Sequence, residues 1–234
     1  RVTMENRAQK EISAVIGILK RHRKEFVTPA LTEIAERSND PFKVLISCIL
    51  SLRTRDETTA KASERLYKLA ETPKEMISLS AKQIADAIYP VGFYKTKAKR
   101  IKQICKDLIE KYGGKVPADF DLLMKFKGVG RKTANIVMVY GFKKEGLPID
   151  THCHRVPNRL GWINTKTPEK TEIALRQLIP KKYWMDFNDI FVQFGQNICR
   201  PVGPKCDKCP ISRHCKYYRT VYMKNKQKLF KTCT

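Results

Sequence analysis

Four cysteines crowd the C-terminal part of the chain. Cys199, Cys206, Cys209 and Cys215 follow the spacing C-x6-C-x2-C-x5-C, which puts four soft thiolate donors close together. Such a set suits either zinc or an iron–sulfur cluster, and ligand chemistry alone does not choose between them. The spacing lacks the paired C-x2-C…C-x2-C of a zinc ribbon. Disulfides are the weaker reading inside a cell, where thiols stay reduced. Cys48, Cys105, Cys153 and Cys233 are scattered and read as packing groups.

A second constellation surrounds a lysine. An apolar helical turn, Leu122 to Lys127, runs into Gly128-Val129-Gly130, and Arg131-Lys132-Thr133-Ala134-Asn135 opens a second helix. Two glycines around one small apolar residue allow a tight turn whose backbone can approach another object closely. Val129 can plug inward between the helices, and the amides near Gly130 stand at a helix N-terminus, where a phosphate is held favourably. By itself Gly-x-Gly suits any helix connection; with Arg131 and Lys132 behind it, the turn points to phosphate. Lys132 is also a candidate nucleophile. Its neighbour Arg131 and the helix dipole both disfavour the ammonium form, as a Schiff-base amine requires. On composition alone it would be a surface lysine that binds phosphate.

The charge of the whole chain agrees with such a partner. Its 234 residues carry 47 Lys+Arg and 23 Asp+Glu, a net charge of +24. An excess of that size repels itself, and the usual reason to keep it is a polyanion, nucleic acid first and an anionic membrane second. No long amphipathic lysine-rich helix with exposed aromatics favours the membrane. No apolar run of about 18 residues predicts a spanning helix. A hydrophobic fraction of 42% excludes wholesale disorder. Arg1 to Lys10 is polar and is followed by no signal-peptide core. The expectation is a soluble, intracellular monomer, in the cytoplasm or nucleoid if prokaryotic.

The elements that must position these groups read as helices nearly everywhere. Ile12, Val15, Ile16 and Leu19 form one stripe. Asp40-Pro41 starts a helix whose body, Phe42 to Leu52, is apolar on almost every side and therefore central. Thr72 to Glu75 and Ser80 to Gln83 match the capping box. Ala98, Ile101, Ile104, Cys105, Leu108, Ile109 and Tyr112 keep helical spacing until Gly113-Gly114. Thr167-Pro168 starts another helix, and Phe187, Ile190, Phe191, Phe194 and Ile198 line the one that leads to Cys199. Pro157 should disrupt a turn, and the basic tail from about Tyr222 to Thr234 reads as poorly ordered. The fold class is all-α, about ten helices joined by short loops.

These residues carry a resemblance. Lys127-Gly-Val-Gly-Arg-Lys-Thr-Ala-Asn135 resembles the helix–hairpin–helix of the endonuclease III family of DNA base-excision glycosylases. Pro148-Ile149-Asp150-Thr151-His152 sits where that family has Val-Asp-Thr-His, and the cysteine spacing resembles its [4Fe-4S] loop. Ser51 to Asp56 and Gly92 to Ala98 also match, so the resemblance spans about residues 34 to 217. It implies two all-α lobes with a DNA groove between them: a helical barrel with the helix-hairpin-helix over 34–144, and 1–33 plus 145–218 around a C-terminal [4Fe-4S] cluster loop, followed by a basic tail over 219–234.

By the same resemblance Lys132 is the Schiff-base nucleophile and Asp150 its carboxylate partner across the groove. The plain alternative for Asp150 is a cap on the helix that follows. Phe93 falls where the family places an apolar wedge that enters the base stack; a core aromatic is the competing reading. His152 and His154 read as polar packing or DNA contacts rather than a metal site. Cys199, Cys206, Cys209 and Cys215 would hold a structural [4Fe-4S] cluster, and the loop between the first two would offer Arg200 and Lys205 to DNA phosphates. Two departures stand out. The family's Leu-Pro before Gly-Val-Gly is Phe126-Lys127 here. Its Ser-x-Gln is Ser51-Leu52-Arg53, so Arg53 would meet the orphaned base differently.

A lysine at position 132 implies a bifunctional DNA glycosylase and abasic-site lyase acting on oxidised pyrimidines such as thymine glycol. Competing readings are a sister glycosylase for 8-oxoguanine or mismatched thymine, a non-catalytic DNA-binding module with zinc on the four cysteines, and a helical scaffold for protein partners.

Overall fold

The computed structural model describes residues 2–22 and 40–232, with side chains over 8–22 and 40–227. The expected start of the barrel lobe at residue 34, and Cys233, lie outside the described residues. Among these the chain is helical and contains no strand. It forms two compact units, Thr28–Pro148 and Arg1–Val27 with Ile149–Thr234.

With α1 (Val2–His22) belonging to the other unit, the Thr28–Pro148 unit is organised around α2 (Pro41–Ser51). Asp40 accepts the Phe42 amide at 2.8 Å and Pro41 occupies the first turn, where its missing donor costs nothing. Val44, Leu45, Ile46, Ile49 and Leu50 are all fully buried, and each contributes about 1.5–3 kcal/mol by leaving water. The only hydroxyl of this inner stretch, Ser47, meets Tyr67 Oη at 2.7 Å. Around α2 lie α3 (Asp56–Leu69), α4 (Pro73–Ser78), α5 (Ala81–Ile88) and α6 (Tyr94–Tyr112). Both capping boxes form as the sequence predicts, Thr72 with Glu75 and Ser80 with Gln83. Ala98, Ile101, Ile104, Cys105 and Leu108 turn the inner face of α6 into the core. The hairpin follows: α7 (Phe120–Met124), a tight turn, and α8 (Arg131–Ile136), which a π-helical turn extends over Val137–Gly141.

In the second unit α1 buries Ile12, Val15, Ile16 and Leu19. It is joined by α9 (Thr151–Leu160), α10 (Pro168–Leu178), α11 (Trp184–Asn197) and α12 (Met223–Thr232). Phe187 and Phe191 stack at 4.0 Å inside it.

Two expectations are corrected. Helix α9 runs unbroken through Pro157. The proline deprives one carbonyl of its donor, that of Cys153, close to the helix end. The following turn is held by the Asn158 side-chain amide on His154 O at 2.8 Å and by Gly161 and Trp162 amides on Pro157 O at 3.1 Å. Where the sequence suggests a poorly ordered tail, Met223–Thr232 forms a helix; the last two residues lie outside the described residues. Tyr222 Oη donates to Asp207 Oδ2 at 2.6 Å and Lys226 Nζ to Asp207 Oδ1 at 2.9 Å, so an acid placed between two of the clustered cysteines anchors it.

Candidate functional site

The hairpin turn is shaped by Gly128 and Val129. Gly128 adopts a φ of 87°, in the left-handed region, and a side chain there would run into the Arg100 guanidinium. Val129 is buried, and its amide donates to Phe126 O at 3.0 Å. Gly130 is the extended residue before α8, with open space around it. Arg131 lies over the Phe120 ring at 4.9 Å. Thr133, Ala134, Asn135 and Ile136 all face inward, so within the first turns of α8 Lys132 is the residue left exposed. Beneath it lies Cys48 of α2. Burial pushes that thiol up to about 12, an effect that Lys132 nearby partly offsets. Asn135 donates to Arg131 O at 3.0 Å and accepts the Leu147 amide at 3.0 Å, which fixes the chain as it leaves the hairpin.

A second group of expected site residues gathers at the end of α2. Arg53 and Phe93 are both exposed, Phe93 at 64%, so Phe93 is not a core aromatic. Both have left-handed backbones, with φ of 53° and 58°. They are forty residues apart in sequence, yet the Arg53 guanidinium stands 5.9 Å from the Phe93 ring centre. Next to them Lys97 is buried, and its Nζ donates to Leu50 O, Leu52 O and Thr54 Oγ1 at 2.8, 2.5 and 3.2 Å.

In the other unit Asp150 caps α9. Its Oδ1 accepts the amides of His152 and Cys153 at 2.9 and 2.8 Å. Among the described residues Oδ2 has no hydrogen-bond partner, so the cap uses one carboxylate oxygen only. His154 Nδ1 meets Thr171 Oγ1 at 2.7 Å and His152 Nδ1 meets Arg155 Nη2 at 2.9 Å, which is polar packing.

Cys199, Cys206, Cys209 and Cys215 line one cavity, closed by apolar side chains such as Leu160, Phe194 and Ile211. Burial and the neighbouring cysteines push the Cys206 and Cys209 thiols up to about 11 and about 12. Four thiolates in such a cage therefore require a cationic core. No three metal-binding side chains among the described residues are close enough to hold one ion. Four soft sulfur donors lining one cavity suit a thiophilic metal group.

Arg159 braces this loop, donating to Cys199 Sγ at 3.4 Å, Arg200 O at 2.7 Å and Pro201 O at 3.0 Å. Arg155 holds Cys199 O at 2.8 Å. The stretch between the first two cysteines leaves Arg200 and Lys205 exposed.

The family model for HhH-GPD superfamily base excision DNA repair proteins matches residues 46–181. Endonuclease III of Thermotoga maritima is 50% identical over 183 residues, 78% of this chain and 86% of that one. The chain belongs to the endonuclease III family. Membership makes it a DNA glycosylase and abasic-site lyase of base excision repair. Two solved structures agree in fold. A non-covalent endonuclease III–DNA complex matches with a TM-score of 0.82 and 30% identity over 92% of this chain and 98% of that one. A trapped endonuclease III–DNA covalent intermediate, in an estranged-adenine complex, matches with a TM-score of 0.73 and 35% identity over 77% and 85%. Among the described residues no helix is long and apolar enough to cross a membrane.

Sequence reasoning singled out exposed residues such as Lys132, Arg53 and Phe93 and passed over the side chains packed behind them. Lys97 carries a faint signal, since it lies four residues before Ile101 on the buried stripe of α6. Arg155 and Arg159 reach partners about forty residues away, and nothing in their local spacing announces it.

Proposed function

We propose that the chain excises oxidised pyrimidines, thymine glycol among them, from double-stranded DNA, and then nicks the strand by β-elimination. The damaged nucleotide must leave the duplex before C1′ can be reached. Lys132 Nζ then attacks C1′, the base departs, and the opened sugar is held as a Schiff base on the lysine. Loss of a C2′ proton expels the 3′ phosphate. Asp150 supplies the carboxylate that balances positive charge developing on the sugar and assists proton transfer through Oδ2. Its role as helix cap, carried by Oδ1, is compatible with this.

The residues of the hairpin turn, Gly128, Val129, Gly130 and Arg131, grip the phosphate backbone without reading sequence. Phe93 and Arg53 enter the gap left by the extruded nucleotide. Arg200 and Lys205 add phosphate contacts. Cys199, Cys206, Cys209 and Cys215 would hold a [4Fe-4S] cluster, which fastens the loop that carries those two cations. Such a partner is met inside the cell, in the cytoplasm or nucleoid if the cell is prokaryotic. The observation that carries the reading is the exposed primary amine of Lys132 beside an otherwise inward-facing helix turn; capture of a solved relative as a covalent DNA intermediate supports it.

Borohydride trapping on duplexes with single lesions tests it. An adduct forms with thymine glycol and with an abasic site; a preference for 8-oxoguanine or mismatched thymine would replace the proposed lesion. Lys132→Ala abolishes the adduct while DNA binding persists, and normal trapping by that variant overturns the nucleophile. Asp150→Asn keeps the cap, because asparagine caps as well as aspartate, and changes stability by less than about 0.5 kcal/mol. Turnover falls about 100-fold; unchanged turnover reduces Asp150 to a cap.

A further inference from the structure

Two exposed residues with left-handed backbones, neither of them glycine, sit side by side on the Thr28–Pro148 unit. Each such residue costs about 1 kcal/mol or more and persists only where its surroundings over-determine it. At Arg53 and Phe93 the surroundings converge on Lys97. Helix α2 ends at Ser51, and the last carbonyls of a helix lack partners within it. The Lys97 ammonium takes two carbonyls at that end, Leu50 O and Leu52 O, and its third donor goes to Thr54 Oγ1. Three donors meet three acceptors, on both sides of Arg53. A cation is also favoured at the negative end of the helix dipole.

The other loop is tied to the same residue. The Lys97 backbone amide donates to Phe93 O at 3.0 Å, closing the first turn of α6. Thr54 Oγ1, already bonded to Lys97, accepts the Gly92 amide at 3.2 Å. The loops touch so closely that a Cβ on Gly92 would stand 2.6 Å from Arg53 O. One turn further along α6, Arg100 lies against Gly128 of the hairpin. Helix α6 therefore carries both the loop pair and a support of the phosphate-binding turn.

We propose that Lys97 is the positioning residue of the DNA-invading pair: it locks Arg53 and Phe93 into one rigid wedge that enters the duplex as a unit. This rests on the reading of Arg53 and Phe93 as DNA contacts given above. Lys97 itself touches no DNA. A rigid wedge matters only where stacked bases must be parted, so its loss separates substrates by their stacking. A helix cap with no further role would affect all substrates alike.

The test compares incision of an abasic site in a duplex with incision of the same site in a single strand, using the full chain under single-turnover conditions. Phe93→Ala lowers the duplex to single-strand ratio. Lys97→Met, which keeps the stem and removes the donors, lowers it by about tenfold. Thr54→Val removes the shared acceptor, together with the hydroxyl's own bond to Leu52 O at 3.3 Å, and shifts the ratio the same way by a smaller factor, so the outcome stands even where Lys97→Met folds poorly. A 2-aminopurine next to the lesion brightens on wild-type binding and less on binding of either variant. An unchanged ratio in Thr54→Val and folded Lys97→Met, with Phe93→Ala lowering it, overturns the role of Lys97 alone. An equal fall on both substrates also overturns it. A ratio unmoved by Phe93→Ala removes the wedge reading, and this inference with it.

Discussion

Phe93 stands 64% exposed on a left-handed backbone, whereas Cys209 and its three partners turn toward a common cavity. The wedge presents groups outward. Its order comes from beneath, from a buried ammonium that ties together residues far apart in sequence. The cysteine loop gathers its groups inward, and their order comes from short turns such as Lys208 N to Lys205 O and His214 N to Ile211 O, both at about 3 Å. In the cage the functional atoms and the structural atoms are the same four sulfurs. In the wedge they are different residues. A ligand substitution should therefore destroy the cage, while the wedge should be most sensitive at residues that never meet the substrate.

The largest effect is expected at the cage. Cys209→Ser removes one of four donors from an apolar cavity and leaves a hydroxyl among three thiols. On the proposed [4Fe-4S] reading, iron content by elemental analysis falls well below that of the wild type, and the Tm falls with it. Full retention of iron would show that the four sulfurs do not act as one donor set. Arg200 and Lys205 lose their fixed loop together, so the salt dependence of DNA binding weakens by up to about two phosphate contacts.

The wedge breaks less violently and at a different residue. Gly92→Ala pushes a methyl group into the Arg53 carbonyl, which is backbone and cannot swing aside. Separating the loops costs about 1–3 kcal/mol, read as a lower Tm. The same variant leaves iron content at the wild-type level. Stability equal to wild type would mean that the two loops are not held in register.

The difference between the regions also explains what was legible in the sequence. Caps are local: Asp40, Thr72 and Ser80 announce their helices within four residues, and each forms. The cysteine spacing and Gly128-Val129-Gly130 are local too. The meeting of Arg53 with Phe93 is tertiary, and so is the use of a lysine on the buried stripe of α6. Periodicity places Lys97 on the stripe of Ala98 and Ile101 only faintly, because burial of an ammonium is rare without partners and its partners are mostly backbone carbonyls that every sequence possesses. The tail failed for a related reason. Its lysines suggest a floppy end until Asp207 is seen to accept both Tyr222 and Lys226.

The smallest effect concerns pH and divides position from stability. Burial beside the Arg100 guanidinium pulls Lys97 down from 10.5 to about 8. A neutral amine has two N–H donors for three acceptors, so one contact to Leu50, Leu52 or Thr54 is lost as pH rises through about 8. The duplex to single-strand incision ratio of the wild type should decline across that range. Stability runs the other way. The unfolded chain keeps the Lys97 proton up to about 10.5 while the folded chain releases it near 8, so between those values the unfolded state binds more protons. The contribution of this residue to stability then rises with pH. Lys97→Met lacks both trends, which makes the difference in Tm between wild type and variant, followed from about pH 7 to about pH 10, the measurement that isolates it. A difference that stays flat would place the lysine's ionisation outside that range, and the decline in incision ratio would have to arise elsewhere than in the wedge.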